Sequence, residues 1–271
     1  MRYQLIEVEP LTPTIGAVIH GADLTKTLDD ETYSEIHDAW MEHQVLFFRN
    51  QPMTNERHLE LGMRFGPLHI HPAAPFADDN PALMVVHTDK DSWRNNGSGW
   101  HSDVSADEEP PMASILHIRE VPSQGGDTLF ANMYAAYEAL SEPMRKFLDP
   151  LAAIHTSDYT NFYGEHKPQR ESPTATHPVV RTHPVTGRKL LYVNRGFTRQ
   201  IKDLSRAESR ALLDYLFEHA AQPRFHCRFQ WEKDTVAMWD NRCTQHLAVW
   251  DYYPETRSGI RVTVKGDRPY H

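Results

Sequence analysis

The sequence predicts a mainly β fold with flanking helices, a jelly-roll barrel of the double-stranded β-helix type. In residues 224–231 apolar side chains occupy every second place, the repeat of a half-buried strand, and residues 260–264 alternate in the same way. Residues 179–181 and 190–193 flank a Thr186-Gly187 turn and read as a hairpin. Helical periodicity is confined to a few stretches among many strands, which argues against a parallel α/β sheet.

From the amino end, Leu5, Glu7 and residues 15–19 open as short strands before a turn at Gly21-Ala22-Asp23-Leu24. Residues 32–43 carry Ile36, Trp40 and His43 on one helical stripe, and Val45-Leu46-Phe47-Phe48 follows as a buried strand. Thr54 is placed to cap a helix that runs to Phe65 and stops at Gly66. Residues 133–148 are broadly helical with a restart near Ser141-Glu142-Pro143, where proline suits a first turn. Ser205-Arg206-Ala207-Glu208 fits a capping box, with Leu212, Leu213, Leu216 and Phe217 as the apolar face behind it. The polar stretch from about 158 to 175, with Pro168 and Pro173, reads as a mobile lid loop.

Length and charge narrow the function. All 271 residues fit one domain, since large β folds reach this size as single units. Lys and Arg number 28 against 37 Asp and Glu, and the net charge of -9 argues against a general nucleic-acid partner. No run approaches the roughly 18 apolar residues of a membrane span, and the first ten residues lack the apolar stretch of a secretory signal. Cys227 and Cys243 are too few for a disulfide framework, so a reducing cytoplasm is the expected setting.

His101 and Asp103 are the most informative residues. On an extended strand, residues two apart share a side, so both can face one metal ion. His246, far downstream, is a candidate third ligand. Two imidazoles and one carboxylate on one side of an ion leave positions open for a cosubstrate and oxygen, as a non-haem Fe(II) centre requires. Taken alone, a His-x-Asp pair is more often a turn cap beside an interior histidine, and this chain has 17 histidines. Trp100 and Trp239 are expected to wall the site with apolar surface, although either can be a plain core aromatic. Cys243 precedes His246 by an odd offset, which on a strand turns it to the other face.

The neighbours of these residues carry a resemblance. Residues 15–17, 21–24 and 64–72, the Trp100-His101-Ser102-Asp103 run, Gly125-Gly126-Asp127-Thr128, Tyr192-Val193-Asn194, Trp239-Asp240-Asn241-Arg242, His246, Arg257 and Arg261 occur in one order along almost the whole chain. In that order the chain resembles the Fe(II)- and 2-oxoglutarate-dependent oxygenases of the taurine dioxygenase and phenoxyacetate dioxygenase type.

The resemblance implies Fe(II), 2-oxoglutarate and O2 as cofactor and cosubstrates, His101, Asp103 and His246 as metal ligands, and Arg257 and Thr128 as the holders of the far carboxylate of 2-oxoglutarate. A buried carboxylate needs such a partner, and a guanidinium offers it two parallel hydrogen bonds. Arg257 and Arg261 share strand parity, so both can face the barrel interior. Arg261 is thereby expected beside cosubstrate and substrate alike. For the substrate, the resemblance implies His71, the amide of Val104, Arg261 and Phe197 around a sulfonate. Ala74 and Gly97 stand where the taurine enzyme has polar groups for the amine, with Asn96 next to the second. Their loss leaves a less polar space beside a kept anion clamp.

The expected reaction hydroxylates the carbon next to the anionic head of a small organosulfur compound, an alkyl or aryl sulfonate or a sulfate ester. It yields an aldehyde plus sulfite or sulfate, with succinate and CO2. An aryloxyalkanoate or other small carboxylate is the alternative substrate, because Arg261 would clamp either anion. A zinc hydrolase could use the same ligands but has no use for Arg257 and Thr128, and a small-molecule sensor has no use for an intact ligand set. The resemblance also implies a homo-oligomer, a dimer or tetramer.

Overall fold

A computed structural model describes residues 3–71, 74–95, 97–157 and 173–271. The larger of its sheets has nine strands. From one edge these are Glu7–Pro10, Ala17–His20, Val45–Phe48, Thr235–Asp240, Ala113–Glu120, Arg257–Val264, Asn80–Thr88 and Phe76–Ala77, and Leu68–His69 also pairs with Arg257–Val264. The strands His226–Phe229, Thr128–Asn132 and Thr244–Ala248 make a three-stranded second sheet. Among the described strands every pairing is antiparallel except that of Ala17–His20 with Val45–Phe48. The chain is mainly β, a jelly roll with helices at its flanks.

Val45–Phe48 shows why this sequence folds this way. All four residues are buried. Val45 and Phe47 join the core between the two sheets, whereas Leu46 and Phe48 face the covering helices. Burial on both faces explains an unbroken apolar run where a one-sided strand would alternate. Between the sheets Phe47 stacks on Phe229 with ring centroids 3.6 Å apart, and Phe130 and Trp239 complete the layer. On the outer face, Asp30–His43 and Asn55–Phe65 lay Ile36, Trp40 and Leu61 over Leu46, Phe48 and Ile115. Truncating Phe47 to alanine would cost about 3–5 kcal/mol by lost transfer energy and cavity formation. A separate core packs the helices Met133–Glu138, Glu142–Leu148 and Arg206–Ala220 on the hairpin of Val180–Thr182 and Lys189–Leu191.

Most helix ends fall where local chemistry places them. Thr54 accepts from the Arg57 amide, Ser141 caps the restarted helix, and Ser205 and Glu208 close the capping box. The first helix begins two residues earlier than its apolar stripe suggests, because Asp29 accepts from Thr32 and caps it. Strand structure in 224–231 is shorter than its alternation implies: Pro223–Phe225 forms a 3-10 turn, and only His226–Phe229 pairs, with Thr128–Asn132. Of the expected lid, residues 158–172 lie outside the described residues. Thr174 and Ala175 belong instead to the strand Thr174–Pro178, whose backbone pairs with Ala152–Thr156. No described helix is long and apolar enough to cross a membrane.

Candidate active site

One exchange of backbone hydrogen bonds assembles the centre. The His101 amide donates to the His246 carbonyl at 3.1 Å, and the His246 amide returns a bond to His101 at 2.8 Å. This isolated antiparallel pair sets two residues far apart in sequence side by side, with ring centroids 4.1 Å apart. Asp103 does not lie on a regular strand with His101, as the two-residue spacing suggested; the chain turns there. It still reaches the pair, with Oδ1 3.7 Å from Nε2 of His101 and 4.0 Å from Nε2 of His246. One ligand-type atom from each residue lies within 4.8 Å of the others.

The turn is fixed from below. The Ser102 hydroxyl lies within hydrogen-bond reach of the carbonyls of Asn241 and Thr244, at 2.6 and 2.7 Å. Asn241 Oδ1 accepts from the Asp103 amide and from Trp239 Nε1, and its Nδ2 donates to Ser114 Oγ. Ser114 in turn donates to Asp103 Oδ2 at 2.7 Å. That contact occupies one carboxylate oxygen and leaves Oδ1 turned toward the two imidazoles. Val104 then adopts φ of 48°, a left-handed conformation that costs a β-branched residue about 1–3 kcal/mol and persists only where its surroundings fix it. Here Asp107 donates to the Val104 carbonyl, and Ser105 bonds buried His155 and Asn194.

The donor chemistry suits a divalent metal. His101 Nδ1 donates to the Gly99 carbonyl at 2.7 Å, which leaves its lone pair on Nε2, facing Asp103. Burial drives the pKa of His246 well below its usual value, so it stays neutral as a ligand must. Burial would raise the Asp103 pKa, but the Arg261 guanidinium beside it overrides this and holds the carboxyl well below the usual range.

These residues open into a cavity of about 450 Å³. Two buried arginines project into it from one strand, Arg257 at 4% exposure and Arg261 at 8%. They keep the expected parity because Arg257 pairs with Thr88 and Arg261 with Met84 in an unshifted register. Both retain donors with no partner among the described residues, Nη2 of Arg257 and Nε of Arg261. Thr128 lines the same cavity, and its Oγ1 accepts from Trp231 Nε1 at 2.9 Å.

This geometry coincides with a family match. The family described as "Taurine catabolism dioxygenase TauD, TfdA family" matches residues 7–263. This chain belongs to the TauD/TfdA family. It is similar to an alpha-ketoglutarate-dependent sulfate ester dioxygenase of Pseudomonas putida, with 37% identity over 97% of this chain and 91% of that protein. It is also similar to an alpha-ketoglutarate-dependent sulfonate dioxygenase of Saccharomyces cerevisiae, 36% identical over 97% of this chain and 68% of that one. Among solved structures it resembles a taurine dioxygenase from Burkholderia xenovorans at a TM-score of 0.87, with 39% identity over 98% of this chain and 91% of that one. As a TauD/TfdA protein it is a non-haem Fe(II)- and 2-oxoglutarate-dependent dioxygenase.

Against the family's arrangement, most residues picked from sequence share one cavity. His71, Gly97, Val104, Phe197 and Trp239 all line it with the groups above. His71 is partly exposed, yet enclosure by its surroundings and then the charge of Arg261 lower its pKa to about 3, so it is neutral. Trp239 lies 4.8 Å from the His246 ring. Two picks are corrected. Trp100 does not wall the cavity: its ring packs 4.5 Å from His226 and against the helical core. Ala74 is not on the wall; its neighbour Pro75 is. Asn96 lies outside the described residues. Cys243 lies in the turn before the strand Thr244–Ala248, so strand parity does not apply to it; it sits buried near His183 and Asp240, where Arg242 donates to both carboxylate oxygens.

Sequence reasoning missed Ser114, Thr88, Tyr252, Met84 and Arg94. Ser114 left a signal: a hydroxyl inside the strand Ala113–Glu120, whose neighbours are otherwise apolar at that end, must find a buried partner.

Proposed function

We propose that this dioxygenase holds Fe(II) with His101, Asp103 and His246, holds the far carboxylate of 2-oxoglutarate with Arg257 and Thr128, and hydroxylates a small sulfonate or sulfate ester with an apolar tail. The observation that carries this reading is the meeting of that metal-ligating triad with two buried arginines in one cavity. The sulfur anions named for the Pseudomonas putida and Saccharomyces cerevisiae relatives support the head group.

Iron and 2-oxoglutarate, when bound, supply the oxidising power: O2 is split between succinate, formed with loss of CO2, and a hydroxyl group on the substrate carbon. The protein's residues bind, orient and exclude water. Arg257 neutralises a carboxylate that would otherwise be costly to bury. Arg261, neutral His71 and the Val104 amide offer separate donors to a tetrahedral anion, and they fix the adjacent carbon relative to the metal ligands. Phe197, Trp239 and Phe130 keep that side of the cavity apolar. A carbon that gains a hydroxyl beside a sulfonate or sulfate expels it as sulfite or sulfate and becomes an aldehyde.

The tail follows from what surrounds the head. Pro75, Met84 and Val86 line the cavity, and Arg94 adds positive charge. Pro75, Met84 and Val86 offer an ammonium no oxygen acceptor, so burying one against them costs several kcal/mol, while each buried methylene contributes roughly 0.8 kcal/mol. Taurine is thus a poorer substrate than an uncharged alkyl or aryl analogue. The experiment is 2-oxoglutarate-dependent release of sulfite or sulfate across a series of tails. Faster turnover of taurine than of every longer uncharged analogue defeats the tail assignment, and turnover of aryloxyalkanoates alone moves the enzyme to a carboxylate substrate.

A further inference from the structure

Thr88 and Tyr252 lie beside Arg257 with no role in the account above. Thr88 faces Arg257 across the register of two strands. Its Oγ1 is hydrogen-bonded to the Tyr252 hydroxyl, and both residues line the cavity at 8% and 4% exposure. Gly126 ties the group together. Its carbonyl accepts from Arg257 Nε at 3.1 Å, and a Cβ there would meet Arg257 Cδ at 3.2 Å and Tyr252 Cδ1 at 3.3 Å. The segment carrying Tyr252 is pinned on the same turn, since Asp251 accepts from the Gly126 amide at 2.9 Å and Glu255 from Ser123.

Counting hydrogens shows what this corner lacks. Thr128 spends a lone pair on Trp231 and keeps its own hydrogen. Arg257 uses Nε on Gly126 and has Nη2 buried without a partner. The Thr88 and Tyr252 hydroxyls carry two hydrogens and share one bond, so one hydrogen is left over. Three neighbouring residues or pairs each have a donor to spare; Asp127, beside Gly126, keeps Oδ1 without a hydrogen-bond partner while its Oδ2 accepts from Arg228, so it does not take up those donors. A buried donor left unsatisfied is costly, so a corner of this kind suits a guest with several acceptor oxygens.

We propose that Tyr252 and Thr88 act as one further donor to the far carboxylate of the 2-oxo acid, and so determine selectivity for a diacid over a monoacid. This rests on the assignment of Arg257 to that carboxylate. The test uses the whole protein loaded with Mn(II) without oxygen, titrated by calorimetry with 2-oxoglutarate and with 2-oxopentanoate, which has the same carbon count but no far carboxylate. The wild type, Tyr252→Phe, Thr88→Val and the double variant are compared, with Arg257→Met as a reference for the corner itself.

Hydrogen bonds to charged groups are worth enough that the double variant should bind 2-oxoglutarate about tenfold more weakly. Binding of 2-oxopentanoate should change less than twofold. If the double variant does not fold, Tyr252→Phe alone is read by the same ratio, with a threefold loss of diacid preference as the threshold. A preference retained within threefold of the wild type overturns the proposal. If Arg257→Met also leaves the preference intact, the assignment of Arg257 fails as well; if only Arg257→Met abolishes it, the hydroxyl pair alone is excluded.

Discussion

Arg261 donates from Nη1 to Oδ1 of Asp103 at 2.7 Å, and that same oxygen lies 3.7 and 4.0 Å from the Nε2 atoms of His101 and His246. With Fe(II) held as proposed, the guanidinium and the metal would draw on the same carboxylate oxygen. Two positive charges competing for one oxygen weaken each other's hold on it. On that proposal, metal loading and release of an Arg261 donor toward a substrate anion would be coupled through this atom. Arg261→Met should raise the KM for the organosulfur substrate at least tenfold without weakening Mn(II) binding. Loss of Mn(II) affinity in this variant, measured by calorimetry, would show that Arg261 supports the metal site instead.

His101→Ala, Asp103→Ala and His246→Ala should each abolish turnover and lower Fe(II) stoichiometry from one per chain. Asp103→Ala should be the worst, since it removes the only ligand charge and also strands buried Arg261. Metal analysis beside circular dichroism separates loss of the ion from loss of the fold. Full activity in any of the three removes that residue from the site.

Arg257→Ala should raise the requirement for 2-oxoglutarate far more than that for the organosulfur substrate. Removing one partner of a desolvated ion pair costs on the order of 3–5 kcal/mol. Steady-state kinetics with each substrate varied in turn checks this. An unchanged KM for 2-oxoglutarate would mean that another residue holds the carboxylate.

Asn241 touches the Asp103 amide, Trp239 and Ser114, but it is not one of the three residues assigned to the metal. Asn241→Ala should lower metal affinity about 10–100-fold, the usual cost of removing a group that orients a ligand. Ser114→Ala should act in the same direction, because Asp103 Oδ2 loses its donor. Equal metal affinity in both variants would show that the turn at Ser102 positions Asp103 unaided.

His58 sets a pH dependence of folding. It is fully buried with Nε2 donating to the Ile115 carbonyl at 3.0 Å, and burial, then the charge of His117, lowers its pKa to about 3. The unfolded chain protonates this histidine near its ordinary value while the folded one does not. The contribution is full above that value and declines as pH falls toward 3. Between pH 7 and 5 the loss from this residue is about 2 kcal/mol. Urea midpoints for His58→Gln should therefore fall less over that range than those of the wild type. Parallel declines in the two proteins would show that His58 does not titrate as assigned.

The sequence by itself determined the elements whose cause is local. Thr54, Ser141 and Ser205 cap helices because a side-chain oxygen satisfies an amide a few residues on, and Val45–Phe48 is apolar throughout because both its faces are covered. Ordered motifs along the chain also marked His101, Asp103, His246, Arg257 and Arg261 as one group. Only the tertiary structure decided how they meet. The His101–His246 bridge, the Ser114 and Asn241 supports and the Thr88–Tyr252 pair join residues separated by 145, 127 and 164 positions, which only the folded chain brings together. It also turned Trp100 away and set Pro75 on the wall in place of Ala74. Side-chain direction at a turn is set by backbone angles such as the φ of 48° at Val104, which no periodicity in the sequence encodes.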